Sequence, residues 1–161
     1  MSASTTVNAS AETVFDVLAD PTTHGAIDGT GWVRESLDGK PLTGTGQIFR
    51  MAMYIDGHPD GHYETANRIE VFDPPHAIAW KTGAAPGRAT SAGADDDELV
   101  YGGWFWRYDL AQAGEGKTEV TLTYDWSAVP QEVREYIKFP MFPPEHLKNS
   151  LAHLAELATT R

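Results

Sequence analysis

The chain has 161 residues, the length of one ordinary domain, with 12 Lys and Arg against 23 Asp and Glu and a formal net charge of −11. A surface this acidic repels phosphates and anionic lipid head groups, so we expect no nucleic-acid binding and no membrane insertion. The absence of cysteine excludes disulfides, thiolate nucleophiles and cysteine-ligated metal centres. No apolar stretch is long enough to span a membrane, and the Ser/Thr/Ala-rich start lacks the basic region of a signal peptide, which predicts one cytoplasmic domain over residues 1–161.

The N-terminal part of the chain predicts one strand followed by two short helices. Residues 3–9 have the composition of a short polar strand, and Ser10 has the position of a helix N-cap. The first helix ends before Pro21, because proline disfavours a helical conformation in the residue that precedes it. A second, shorter helix is predicted over His24–Asp28, where two glycines closely follow.

The middle of the chain predicts six antiparallel strands separated by Asp-Gly, Asp-Pro-Pro and Gly-rich turns. The strand segments, rich in β-branched and aromatic residues, are 31–38, 45–55, 62–73, 76–82, 99–110 and 117–126. Alternation along them predicts an inner face that is unusually aromatic. That face comprises Tyr63, Thr65, Asn67, Ile69, Val71, Ile78, Trp80, Trp104, Trp106, Tyr108, Leu110, Val120, Leu122, Tyr124 and Trp126.

The C-terminal part predicts a short helix around Val133 and Ile137 and a longer one that starts near Pro144. The apolar residues of the longer helix recur at spacings of four, three and four, which is typical of a helix with one buried face. They are Leu147, Leu151, Leu154 and Ala158. This helix is therefore expected to cover the inner face of the sheet.

Residues 84–97 depart from the strand pattern, because they are small, polar and acidic and offer nothing to bury. We interpret them as a mobile insertion between two strands, and we expect proteases to cleave near Arg88. The sequence does not indicate what this insertion does.

Taken together, the order of elements and five stretches resemble the SRPBCC superfamily, which includes START domains, birch-pollen-allergen relatives and polyketide cyclases/dehydratases. The stretches are DPTTHGAIDGTG (20–31), Phe-x-Met-x-Met (49–53), HYETANRIEVFDPPHAIAW (62–80), WFWRYDL with GKTEVTLTYDWS (104–110 and 116–127), and the leucine-striped end. The resemblance, to a bacterial subgroup, spans essentially the whole chain. It implies an α+β helix-grip fold: a curved antiparallel sheet of about seven strands around a long C-terminal helix, with two short helices after strand one.

The resemblance also implies a cavity between the sheet and the C-terminal helix. Such a cavity predicts that the protein binds a hydrophobic or aromatic small molecule. Indole and amide groups on the inner face need hydrogen-bond partners, which either the protein or a ligand must supply. There are two alternatives to a ligand-binding cavity. The aromatic residues could form a packed core, and the Asn67 side chain could bond to a neighbouring backbone group. The expected ligand contacts are Met51, Met53, Tyr63, Asn67, Trp80, Trp104, Trp106, Tyr124, Leu147 and Leu151.

Three residues are candidates for catalysis. His24 and Asp28 are four residues apart, so on a helix the carboxylate could orient the imidazole as a general base, with Tyr63 nearby in the cavity. The alternative is structural: Asp28 fixes the turn, and His24 packs at the rim of the sheet. No G-x-S-x-G motif is present, which argues against serine hydrolase chemistry.

The cluster of Asp56, His58, Asp60 and His62 has the residue types of a metal site. Two Asp-Gly turns and a proline interrupt it, however, so it is better interpreted as a hairpin tip. We expect neither a metal nor a cofactor.

Three functional classes follow from these observations. The first is a binding protein for a polyketide-, steroid- or lipid-like molecule, and the second is an enzyme of the polyketide cyclase/dehydratase type. The third is a co-chaperone-like protein that binds a partner through an exposed apolar patch. The sequence identifies neither the ligand nor the oligomeric state, which is expected to be a monomer or a homodimer.

Overall fold

The computed structural model describes residues 1–29, 31–54, 62–84, 100–135, 138–140 and 143–160. The strands are β1 (Ser2–Val7), β2 (Val33–Ser36), β3 (Ile48–Tyr54), β4 (His62–Asp73), β5 (Ala77–Ala84), β6 (Val100–Gly114) and β7 (Lys117–Asp125). The helices are α1 (Ala11–Leu18), a 3₁₀ turn (Pro21–Thr23), α2 (His24–Ile27), α3 (Gln131–Arg134) and α4 (Glu145–Thr159). The expected α+β class, with short helices after strand one and a long C-terminal helix, is confirmed.

All seven strands form one antiparallel sheet in the order β1-β7-β6-β5-β4-β3-β2. From β2 onward each strand pairs with the next along the chain, and β1 closes the far edge by pairing with β7. The sheet curls into a half-barrel. Its concave side faces the helices, so side chains from distant strands converge there.

The first helix begins where the sequence predicts. The backbone N–H of Thr13 donates to the Ser10 hydroxyl over 3.2 Å, which makes Ser10 the N-cap of α1. The apolar face of α1 is buried through Val14, Phe15 and Val17. These contacts fix the helix against the sheet and bring its C-terminal end, Leu18, to the concave side.

Helix α4 packs against β1 and β7 and against helices α1 and α2. Its four predicted apolar residues, Leu147, Leu151, Leu154 and Ala158, are all buried.

Among the described residues no helix is both long and apolar enough to cross a membrane.

One prediction about the inner face is wrong. A bulge between Ile69 and Val71 adds a residue to β4, so Val71 pairs with Ala79 while Phe72 pairs with the inward-facing Ile78. Phe72, not Val71, therefore joins the core, where its ring meets Phe15 edge to face at 5.3 Å.

The segment that we interpret as an insertion lies outside the described residues, except for Ala84 at the end of β5. The same is true of Ile137, which the sequence places on the short helix before α4. Our expectations for both stay predictions.

Candidate functional site

A cavity of about 250 Å³ lies on the concave side of the sheet. Strands β2 to β7 form its floor, and residues of α2 and α4 close it from the other side. Six of the ten expected ligand contacts line it: Met51, Met53, Asn67, Trp80, Trp104 and Trp106. The curvature of the sheet brings these side chains together from four strands.

Three other expected contacts lie behind the cavity wall. Tyr124 is fully buried, and its ring stacks on Trp106 with the centroids 4.3 Å apart. Leu147 and Leu151 belong to the core, because the leucine face of α4 is turned toward the buried cluster. The structure therefore does not bring these three residues to the cavity. The side chain of Tyr63 lies outside the described part of the chain.

Asn67 lies at the centre of a small hydrogen-bond network in the cavity wall. Its side-chain Nδ2 donates weakly to the Phe49 carbonyl at 3.4 Å and to the Thr65 hydroxyl at 3.5 Å, and its Oδ1 accepts from the Thr82 hydroxyl at 2.9 Å. Asn67 thus makes the backbone bond that we stated as the alternative to a ligand contact. The hydroxyls of Thr65 and Thr82 line the cavity beside it.

His24 is held by the protein in one orientation. Its Nε2 is 2.8 Å from the Leu18 carbonyl oxygen, which can only accept, so this nitrogen carries the proton. The ring stacks on Trp80 at 5.2 Å and meets Phe49 edge to face at 5.6 Å. Burial lowers the pKa of His24, while the Leu18 hydrogen bond and the charge of Asp20 oppose that shift. His24 is therefore a neutral imidazole at neutral pH, and the carbonyl of Leu18 orients it rather than Asp28.

Asp28 faces a histidine that the sequence did not single out. Its Oδ1 is 3.8 Å from Nε2 of His146, and its Oδ2 accepts from the backbone N–H of Val33 at 3.2 Å. The two side chains are only 9% and 6% exposed, and both line the cavity. Burial lowers the pKa of His146, and the negative charge of Asp28 partly reverses that effect.

Close contact between α4 and the end of α2 creates this pair. The backbone N–H of Gly29 donates to the Ser150 hydroxyl at 3.0 Å, and Nδ1 of His153 lies 3.0 Å from the Ile27 carbonyl. A Cβ atom at Gly29 would lie 2.6 Å from the His146 carbonyl oxygen, so only glycine allows this approach. The residues of α4 that meet the end of α2 thus include His146, Ser150 and His153, at helical spacings of four and three. That polar periodicity beside the leucines is the signal that could have identified His146.

Tyr108 adds a phenol to the same cavity. It comes from β6 and lies beside Trp80, with the ring centroids 6.0 Å apart. Burial and the negative charge of Asp28 both raise the pKa of Tyr108, so its hydroxyl stays protonated and can donate a hydrogen bond.

No group of three or more His, Cys, Asp or Glu residues within the described ranges is arranged to hold a metal ion. Asp56, His58, Asp60 and the side chain of His62 lie outside those ranges. The hairpin-tip interpretation of that cluster stays a prediction.

A half-barrel sheet that partly encloses a cavity beneath a C-terminal helix defines the class of helix-grip-like folds, and solved structures of this kind resemble the chain. Protein Ms6760 from Mycobacterium smegmatis has a TM-score of 0.64 and 18% identity, over 99% of this chain and 90% of that chain. Protein CV1439 from Chromobacterium violaceum has a TM-score of 0.62 and 20% identity, over 98% of this chain and 95% of that chain. The di-domain ARO/CYC protein StfQ from the steffimycin biosynthetic pathway has a TM-score of 0.57 and 12% identity, over 98% of this chain and 44% of that chain. At sequence identities this low, the structural similarity establishes the fold and nothing further.

No family model matches the chain. Among curated proteins, the uncharacterized protein Rv0088 of Mycobacterium tuberculosis is 26% identical over 128 residues, which cover 80% of this chain and 48% of that protein. The chain thus spans about half the length of the curated relative that it matches.

Proposed function

We propose that this protein binds a hydrophobic or aromatic small molecule in the cavity between the sheet and α4. The observation that supports this best is the composition of the wall: Trp80, Trp104 and Trp106 lie together with methionines and a small number of polar groups. Cavities with mostly apolar walls and a few oriented polar groups are typical small-molecule sites. Burying about 200 Å² of apolar ligand surface would contribute roughly 5 kcal/mol before ordering costs.

A cyclase/dehydratase-type enzyme is the second candidate. The ARO/CYC protein StfQ has the same fold, and titratable groups converge in this cavity: Asp28 faces His146, and its charge acts on Tyr108. A buried carboxylate, a neutral imidazole and a phenol are groups that can move protons on a bound substrate. This set differs from the predicted one of His24, Asp28 and Tyr63, because His146 takes the place of His24 beside the carboxylate.

A partner-binding role receives less support. Such a role needs a contiguous exposed apolar patch. Within the described ranges, the exposed large apolar residues are Leu37 at 43% and Val100 at 58%. Leu37 follows β2 at one edge of the sheet and Val100 begins β6, so two single side chains are separated by several strands.

The proposal is tested with Nile red, a neutral apolar dye whose emission rises on binding. Met53 lines the cavity, whereas its neighbour Tyr54 turns the other way and lies under the Arg34 guanidinium. We expect Met53→Trp to fill the cavity and weaken dye binding by about tenfold or more, and Tyr54→Trp to change it by less than about twofold.

Folded Met53→Trp protein that binds the dye as tightly as wild type would place the site elsewhere. Native mass spectrometry of freshly purified protein adds a second measurement, because a binding protein should retain an apolar molecule and an enzyme should release its product. Wild-type protein that binds no dye and retains no molecule would refute the binding proposal.

A further inference from the structure

The described residues that line the cavity bring a negative charge and no positive one. Apart from Tyr108, the titratable residues among the described lining residues are His24, Asp28 and His146, and neither lysine nor arginine is present in this set. Burial lowers the pKa of both histidines, so both are neutral imidazoles at neutral pH. The formal charge that these residues bring to the cavity is therefore the negative charge of Asp28.

Aromatic rings line the same cavity as this charge. Trp32, Trp104 and Trp106 line the same cavity, and the Trp106 ring meets the His146 ring edge to face at 5.6 Å. The face of an indole ring is electron-rich and attracts cations. Inside a protein, where solvent screens charges less than in bulk water, a carboxylate attracts a cation and repels an anion more strongly.

We infer that the ligand is an aromatic molecule with a cationic amine at the end that lies against Asp28. This inference rests on the proposed function and specifies its ligand class. The aromatic body would stack among the tryptophans, while the hydroxyls of Thr65 and Thr82 would contact neutral polar substituents. We expect ligands whose polar end is a carboxylate or a phosphate, such as fatty acids and phospholipids, to bind more weakly, because Asp28 repels them and the described wall has no cation to hold them.

The test compares three probes that share one aromatic body and differ in charge. They are 2-naphthylmethylamine, which is protonated near neutral pH, the neutral 2-naphthylmethanol and the anionic 2-naphthoic acid. Isothermal titration calorimetry on the wild-type chain should give the tightest dissociation constant for the amine. We expect it to bind about tenfold or more tightly than the acid, with the alcohol between them.

The possible outcomes separate the two proposals. Naphthoic acid that binds as tightly as the amine, or more tightly, would overturn the inference and leave cavity binding intact. Failure of all three probes and of Nile red to bind would overturn cavity binding itself. Binding of Nile red and the alcohol without the amine would overturn only the inference.

A pair of Asp→Asn substitutions assigns the preference to one residue. Asp28→Asn removes the charge in the cavity, while Asp109→Asn makes the same change at a half-exposed residue that pairs with Arg107 at 3.0 Å. Asp28→Asn should reduce the advantage of the amine over the acid by about tenfold and leave the alcohol within about threefold, whereas Asp109→Asn should change neither. An amine preference that survives Asp28→Asn would overturn the role of Asp28. If that variant does not fold, the wild-type order of the three probes decides.

Discussion

Helix α4 has two neighbouring faces: one packs in the core, and the other closes the cavity. The leucine face, with Leu147, Leu151 and Leu154, is buried in the core and holds the helix against β1 and α1. The polar face, with His146 and Ser150, meets the end of α2 and closes the cavity. The faces are offset by one residue along the helix, about 100° around its axis. On this helix, the leucines that dominate the sequence pattern stabilise the fold, while the polar residues beside them shape the site.

The largest effect is expected on the leucine face. Leu151→Ala should lower the free energy of unfolding by roughly 2–5 kcal/mol, because it removes buried apolar surface and leaves a cavity. Urea unfolding measures the change, with Lys148→Ala on the exposed side of the same helix as the control. A loss below about 0.5 kcal/mol would mean that this face does not pack as the structure shows.

The next effect concerns the contact between α4 and the end of α2. Gly29→Ala would place a Cβ 2.6 Å from the His146 carbonyl oxygen, so the helix or the turn must shift. We expect a loss of about 1–3 kcal/mol in the free energy of unfolding. Gly44→Ala is the matched control, because no atom lies within 4 Å of its added Cβ. Equal effects of the two substitutions would contradict the close approach.

Lowering the pH should weaken the packing of the polar face, which contains His146, and leave the packing of the leucine face unchanged. Burial lowers the pKa of His146 in the folded state, so its contribution to stability is complete above the unfolded value of about 6.5 and is lost as pH falls toward the folded value. The free energy of unfolding should therefore fall less steeply between about pH 7 and pH 5 in His146→Gln than in wild type. An unchanged slope in His146→Gln would argue against a buried neutral imidazole at this position.

The smallest effect is expected for the hydroxyl of Ser150. Ser150→Ala removes the acceptor of the Gly29 N–H and should cost about 0.5–1.5 kcal/mol in chemical unfolding. Ser4→Ala, whose hydroxyl bonds Thr121 on the exposed side of β1, is a control with a weaker expected effect. A Ser150→Ala protein as stable as wild type would show that water replaces the hydroxyl at no cost.

Much of the fold follows from local patterns. The alternation of β6 and β7 places Trp106, Tyr108 and Leu122 on the concave side, and all three line the cavity. The Ser10 cap and the four-three-four spacing of the leucines likewise mark where α1 begins and which face of α4 is buried. These predictions succeed because each depends on residues that are close together in the chain.

The features that the local patterns did not predict depend on geometry that no local pattern contains. The bulge in β4 exchanges Val71 for Phe72 at the core, and alternation alone cannot reveal an extra residue in a strand. Tyr124 alternates in step with Leu122, yet the Trp106 ring stacks on it and Tyr124 lies outside the set of lining residues. Side chains on one face of a strand thus differ in what lies above them, because the sheet is curved and the helix covers only part of it.

The amino-acid sequence by itself determined the fold class, the order of elements, the acidic charge and the aromatic character of the concave face. Those properties follow from composition and from the periods of strands and helices. Only the tertiary structure decided which polar groups share the cavity. Gly29 and Ser150 bond across a separation of 121 residues, and the same contact sets Asp28 against His146. The physical reason is that strand and helix periods act over a few residues, whereas this contact depends on where the completed sheet and α1 leave room for α4.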